Sequence, residues 1–233
     1  MIKRVLKKFS LVYDLLFDKY YSISYSQEGE DLILKRYFSE KAGGFYVDVG
    51  AHHPKRFSNT YMFYKKGWSG INIDAMPGSM KLFNKVRNKD INLEIAISNE
   101  NKELTFFMFN EPALNGFSER ISKERSADYK LLNRISITTK KLSEILDKNL
   151  PKTVKKIDFM SIDVEGLDLE VLKSNDWEKF RPSIVLVELL NLNGINEDPI
   201  TLYLKEVGYK FYAKSHFTNF FVDNRRQENQ VKN

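Results

Sequence analysis

Acidic side chains stand at the ends of four apolar runs, and two imidazoles follow the first of them. FYVDV at 45–49 carries Asp48 and continues into Gly50, Ala51, His52, His53 and Pro54. WSGINID at 68–74 ends in Asp74, IDFMSIDVEG at 157–166 sets Asp163 and Glu165 about the end of a third run, and SIVLVEL at 183–189 is apolar except for Glu188. Each alone has a plain reading as a turn, a salt bridge or a helix cap. Taken in order they point to a site, because charges are rarely buried without partners. A glycine after the first run lets backbone approach a ligand closely. An acid about 24 positions beyond Gly50 suits hydrogen bonds to ribose hydroxyls.

The dinucleotide fingerprint G-x-G-x-x-G is missing, since only Gly50 is present. A pyrophosphate cofactor is therefore disfavoured, and an adenosine ligand without phosphate fits better. S-adenosylmethionine is such a ligand. Methyl transfer from a sulfonium is an in-line displacement in which the protein chiefly aligns the reactants. A hydroxyl acceptor also needs a base. The candidates are His52, His53, His216, Asp163 and Glu188. Asp163 and Glu188 offer the oxygen donors that Mg²⁺ prefers, so a divalent cation stays open. No third acid follows Glu188, where Leu189 and Leu190 stand.

These residues need a scaffold that gathers strand ends. Strands are predicted over Phe45 to Val49, Trp68 to Asp74, Ile91 to Ile97, Glu103 to Phe109, Ile135 to Thr139, Ile157 to Ile162, Ser183 to Leu189, Tyr209 to Ala213 and Phe217 to Val222. Helical spacing falls between them, at Ser26 to Phe38, Ser58 to Lys66, Pro77 to Arg87, Leu142 to Lys148, Leu167 to Ser174 and Ile200 to Val207. Alternating strands and helices imply a mostly parallel sheet covered on both faces. Its ligands bind beyond the carboxyl ends of the strands, where strand order reverses. Residues 110–134 show no clear period and read as a loop or short helices shaping an acceptor pocket.

With 233 residues, 42% hydrophobic, the chain suits one domain with a small extension. Its lack of cysteine excludes disulfides, thiolate metal sites and a cysteine nucleophile. The net charge of +6 is spread along the chain, so a mixed-charge surface is the expectation and nucleic acid is disfavoured as a partner. The expected division is a basic amphipathic helical extension at 1–24, a main domain at 25–223 and a polar tail at 224–233. Lys3, Arg4, Lys7 and Lys8 precede an apolar stripe, a pattern that docks on the domain or on an anionic membrane surface.

The ordered set resembles the FkbM-type family of S-adenosylmethionine-dependent methyltransferases. The resemblance runs through SQEGEDLIL, YVDVGAHHP, SNTYMF, GWSGINIDAMP, IDFMSIDVEGLDLEVL, FRPSIVLVE and TNFFV, over roughly residues 25 to 222. Asp74 stands where the family more often has Glu. The resemblance implies the class I methyltransferase fold, a Rossmann-like α/β architecture. Its seven-stranded, mostly parallel sheet has helices on both faces and the last strand antiparallel. It implies that Asp48, Gly50 and Ala51 line the methionine and ribose part of the cofactor, that Asp74 holds the ribose and that Ala96 and Ile97 lie near adenine. Asp163 would face the methyl-transfer centre, and Gln27, Glu28, Glu30 and Asp31 would fold over cofactor or substrate. The implied reaction is O-methylation of a sugar hydroxyl in a surface glycan or its precursor. Apart from the resemblance, the expected setting is the cytoplasm, and the basic amphipathic pattern of residues 1–20 allows peripheral contact at the inner membrane face. A nucleic-acid methyltransferase, or a non-catalytic binding or membrane-surface protein with this fold, is the alternative.

Overall fold

The computed structural model describes residues 20–189 and 197–226. The strands are β1 (Phe45–Val49), β2 (Ser69–Asp74), β3 (Ile91–Glu94), β4 (Ala96–Ile97), β5 (Glu103–Phe109), β6 (Leu131–Lys140), β7 (Phe159–Ile162), β8 (Ile184–Glu188), β9 (Tyr209–Ser215) and β10 (Thr218–Asp223). The helices are α1 (Glu30–Tyr37), α2 (Tyr61–Lys65), α3 (Met80–Val86), α4 (Glu119–Arg125), α5 (Leu142–Asn149), α6 (Asp168–Lys173) and α7 (Pro199–Glu206). The main sheet has seven strands in the order β3-β2-β1-β7-β8-β10-β9. β1 pairs in parallel with both β2 and β7, so the order reverses there. β10 runs antiparallel to β8 and β9, the one reversed strand of the class I methyltransferase fold.

Alternation along the central strands explains the two covered faces. Phe45, Val47 and Val49 join Leu142, Leu146, Val171, Leu172 and Leu204 from α5, α6 and α7 in one core. Tyr46 points the other way, to Leu34 of α1 and Met62 and Phe63 of α2. All five residues of β1 are buried, as a central parallel strand requires. Asp48 is tolerated there because the Thr60 hydroxyl donates to it at 2.8 Å. The second face also holds a wholly buried Arg87, which pairs with Asp90 at 2.8 Å and donates to the Tyr46 hydroxyl at 2.7 Å. The Asn72 amide and the Gly70 backbone N–H complete the shell around Asp90.

Two predicted elements are corrected. The expected strand from Ile91 to Ile97 divides. β3 stays in the main sheet, whereas β4 leaves it to pair with β6 in a separate three-stranded sheet ordered β4-β6-β5. β6 begins four residues earlier than predicted, since Leu131 to Arg134 are drawn into the ladder by β5 across the hairpin. Most of the expected 1–24 extension, and the tail beyond 226, lie outside the described residues. The start of that tail is tied down. Asn224 donates its backbone N–H to Gly208 at 3.0 Å, and Arg225 pairs with Glu178 at 2.7 Å. Among the described residues no helix is long and apolar enough to cross a membrane.

Candidate active site

A cavity of about 490 Å³ opens beyond the carboxyl ends of β1, β2, β7 and β8, at the reversal of strand order. Gly50, Asp74, Ile97, Asp163, Glu188 and His52 reach its wall.

At one end the wall suits a nucleoside. Asp74 ends β2, and its two carboxylate oxygens each accept one backbone N–H, from His52 and from Met76, both at 2.8 Å. Each oxygen keeps a second lone pair for a ligand. Burial pushes the Asp74 carboxyl above the ordinary carboxylate range, and the two amides oppose that rise. Beside it Ile95, Ile97, Met76 and Phe106 form an apolar flank, Phe106 packing on Phe117 at 4.8 Å. The His52 ring lies over Phe57 at 6.4 Å, and its Nε2 is buried without a partner among the described residues. Burial lowers the pKa of His52, which favours the neutral imidazole. His52 and Phe57 both hold positive φ, 52° and 56°, a strained backbone concentrated at this wall.

Gly50 serves a different purpose from the one its position suggests. Its φ is 86°, and a Cβ there would stand 1.7 Å from the Asp163 carbonyl oxygen. The glycine lets the β1 turn cross the end of β7, where the Asp163 backbone takes the space a side chain would fill.

The other end gathers acids. One carboxylate oxygen from each of Asp163, Glu165 and Glu188 lies within 4.8 Å of the others. Asp163 follows the end of β7, and its side chain is exposed where it lines the cavity. Desolvation, and then the charges of Glu188, Glu165, Asp168 and Asp48, hold its carboxyl well above the ordinary range. Burial and the neighbouring acids push Glu188 up to about 8. Burial pushes Asp168 up to about 7, although it accepts the Val164 and Gly166 backbone N–H groups at 3.2 Å. Glu165 has φ 56° and forms an ion pair with Arg125. Glu30, at the start of α1, accepts from Thr218 at 3.3 Å and from the Glu28 N–H at 2.9 Å, which brings Gln27, Glu28 and Glu30 to the wall. This set of oxygens fits a hard divalent cation, with Glu165 already engaged by Arg125.

The sequence profile of the Methyltransferase FkbM domain matches residues 48–211, which take in Asp74, Asp163 and Glu188. The chain belongs to the FkbM methyltransferase family. It is accordingly a methyltransferase that takes S-adenosylmethionine as cofactor. A search of the curated proteins returns no match. Among solved structures, a TehB-like SAM-dependent methyltransferase from Corynebacterium glutamicum shares 9% identity at a TM-score of 0.43, with 95% of this chain and 97% of that chain covered. A precorrin-6y C5,15-methyltransferase from Geobacter metallireducens shares 10% at 0.43, covering 88% and 93%. A human methyltransferase 10 domain containing protein shares 12% at 0.42, covering 92% and 93%.

The residues expected at the site separate into two groups. Gly50, His52, Asp74, Ile97, Asp163, Glu188 and Glu30 meet at the cavity, and Asp48, Ala51, Ala96 and His53 stand off its wall. Asp48 is taken up by Thr60. Ala51 packs with Met80 and Phe83 under α3. Ala96 is buried in β4, and its neighbours Ile95 and Ile97 reach the cavity instead because side chains alternate along a strand. His53 caps its own turn, accepting the Lys55 and Arg56 N–H groups at 3.1 and 2.9 Å on Nδ1. Asp31 turns away from the cavity and binds Ser24, Tyr25 and Ser26. The space beside Gly166, at the end of the same run as Asp163, is filled. A Cβ there would meet Ile121 and Ser118 at 2.9 Å, so this glycine seats α4. Sequence reading missed Arg125, Met76, Ile95 and the role of Glu165 as third acid. The spacing Asp-x-Glu at 163–165 was the available signal, because alternate residues of an extended run share a face.

Proposed function

We propose that the protein O-methylates a sugar hydroxyl of a surface glycan or its precursor, with cofactor at the Asp74 end of the cavity and acceptor at the Asp163 end. The observation that carries this is the division of one cavity between an apolar flank beside Asp74 and the acid group of Asp163, Glu165 and Glu188. Bound S-adenosylmethionine supplies the electrophilic methyl. Asp74 takes the ribose hydroxyls on its free lone pairs, and Ile95, Ile97 and Phe106 flank the adenine. The acceptor end offers Gln27, Asn59 and Thr218 beside the carboxylates, groups that hydrogen-bond a polyhydroxylated ligand, and Phe217 offers an apolar face. Clustered carboxylates disfavour a phosphate-rich strand, which argues against nucleic acid as acceptor.

In the transfer, the acceptor oxygen bonds to the methyl carbon as the carbon–sulfur bond breaks, and the hydroxyl proton passes to a carboxylate. Asp163 is our choice of acceptor for that proton, with Glu188 beside it and His52 second. Carboxylate oxygens of Asp163, Glu165 and Glu188 lie within 4.8 Å of one another, and the neighbouring charges raise the proton affinity of Asp163. Methyl transfer from labelled cofactor to a panel of nucleotide sugars and oligosaccharides tests the assignment. Asp163→Asn should lower turnover ~10²-fold, the scale of a positioned proton acceptor, with folding intact. Near-normal turnover would remove Asp163 from the centre. EDTA separates the two uses of the acids. Loss restored by Mg²⁺ assigns Asp163 and Glu188 to a cation, and no effect assigns them to proton transfer.

We also place the protein in the cytoplasm, with its domain at 25–223 held against the inner membrane face by residues 1–20. Four cations over an apolar stripe support this, as do the exposed Tyr20, Tyr21 and Ile23 that follow. Co-sedimentation with anionic liposomes at low salt should fall when Lys3, Arg4, Lys7 and Lys8 become Gln. Full-length protein that ignores such liposomes would end the membrane assignment.

A further inference from the structure

The chain between β5 and β6 does not fold away from the sheet. It doubles back, with Gly116 bridging to Phe107 through bonds of 2.9 and 3.2 Å, and then lays α4 over the end of β7. Glu111, Leu114, Asn115, Phe117 and Tyr129 of this segment all face the cavity. Two glycines set how closely it lies. A Cβ on Gly116 would stand 2.9 Å from the Glu165 backbone oxygen, and one on Gly166 would stand 2.9 Å from Ser118 and Ile121. Contacts this tight leave no space for a side chain between the segment and the loop that carries Asp163.

Polar links hold it at both margins. On the outer margin Glu111 takes a bidentate pair from Arg56 at 3.1 and 3.3 Å, with both side chains at least one-third exposed. On the inner margin Arg125 pairs with Glu165 and donates to the Leu114 carbonyl at 2.7 Å, and its side chain is only 17% exposed against 15% for Glu165. One guanidinium thereby ties α4, the turn at Leu114 and the strained Glu165 together. The exposed pair contributes little, and the enclosed one with a second hydrogen bond contributes more.

We propose that residues 110–130 form a lid over the cavity and that Arg125 is its latch, a positioning residue that sets how fast the site opens. This rests on the cavity being the cofactor site. The latch holds the lid in the closed arrangement and also holds Glu165, two residues from Asp163, in its left-handed conformation. Releasing it opens the path for ligand in both directions and leaves the Asp74 end of the site unchanged.

The test uses the full chain and S-adenosylhomocysteine, with rates read by stopped-flow or surface plasmon resonance. Arg125→Ala should speed association and dissociation together by ~10-fold, the equivalent of one lost charged hydrogen bond, and keep Kd within about two-fold. A purely structural defect would raise dissociation alone and weaken Kd. Arg125→Lys should fall between, and the exchanged pair Arg125→Glu with Glu165→Arg should restore part of the slow opening. Amide hydrogen exchange should quicken over 113–126 in Arg125→Ala and stay unchanged over 45–74. Unchanged rates with unchanged exchange would overturn the latch. If S-adenosylhomocysteine does not bind the wild type, the cofactor assignment fails, and hydrogen exchange over 113–126 still decides the latch.

Discussion

Two groups of charge flank the main sheet's central strands, one buried and one open to the cavity, and they are built in opposite ways. Behind β1, Arg87 and Asp90 are wholly enclosed, and every oxygen of Asp90 has a donor: Arg87, the Tyr46 hydroxyl, the Gly70 N–H and the Asn72 amide. At the carboxyl ends of β7 and β8, Asp163, Glu165 and Glu188 meet with Arg125 as the cation beside them. The first group is neutral and saturated, as a charge that serves structure must be. The second keeps surplus negative charge where a cavity lets a ligand in. That excess raises the proton affinity of its members, a condition that suits proton transfer.

The largest effect should come from breaking the saturated group. Arg87→Met leaves Asp90 charged and unpaired, and should cost about 3–5 kcal/mol by denaturant unfolding. Arg125→Met, which leaves Glu165 beside an open cavity, should cost clearly less. Equal losses would erase the distinction between the two groups.

Gly50→Ala should come next. It combines a positive φ with a clash against the Asp163 carbonyl, so it should destabilise by about 1–3 kcal/mol and displace the Asp163 turn. A variant as stable as the wild type would show that β1 and β7 approach less closely.

The smallest effect is a change of slope with pH. Glu188 is held above its ordinary value of 4.5, to about 8, so the folded state keeps a proton that the unfolded chain gives up. Its contribution to stability is present below 4.5 and is lost as pH rises through about 8. Glu188→Gln should therefore unfold at a temperature closer to, or above, that of the wild type at pH 8.5 than at pH 5. A difference that does not vary with pH would place Glu188 in ordinary solvent.

The main sheet was legible because parallel strands buried on both faces are continuous apolar runs. FYVDV, GINID, FMSI and IVLVE each announce themselves, and an acid stands at or next to the end of each. The break between Glu94 and Ala96 was not legible, since every residue from Ile91 to Ile97 suits a strand, and the change of sheet is imposed by pairing with Thr139 and Lys140. The glycines were visible but their partners were not. Gly50 answers to Asp163, and Gly166 to Ser118 and Ile121, contacts that span many residues of chain. The third acid was sought after Glu188, where Leu189 and Leu190 stand. It comes from the turn after β7 instead, where Glu165 holds positive φ, pairs with Arg125 and lines the cavity. His52 and His53 are adjacent in sequence, yet only one reaches the wall, the other being spent on its own turn.

The central claim is that cofactor binding and chemistry occupy different ends of one cavity. Calorimetric titration of S-adenosylhomocysteine into Asp74→Ala and Asp163→Asn, side by side with the wild type, tests it without knowledge of the acceptor. Asp74→Ala should weaken binding on the order of ten-fold, about 1.4 kcal/mol, and Asp163→Asn should bind within about two-fold of the wild type. Undiminished binding by Asp74→Ala, or a loss in Asp163→Asn as large as that expected at Asp74, would contradict the division.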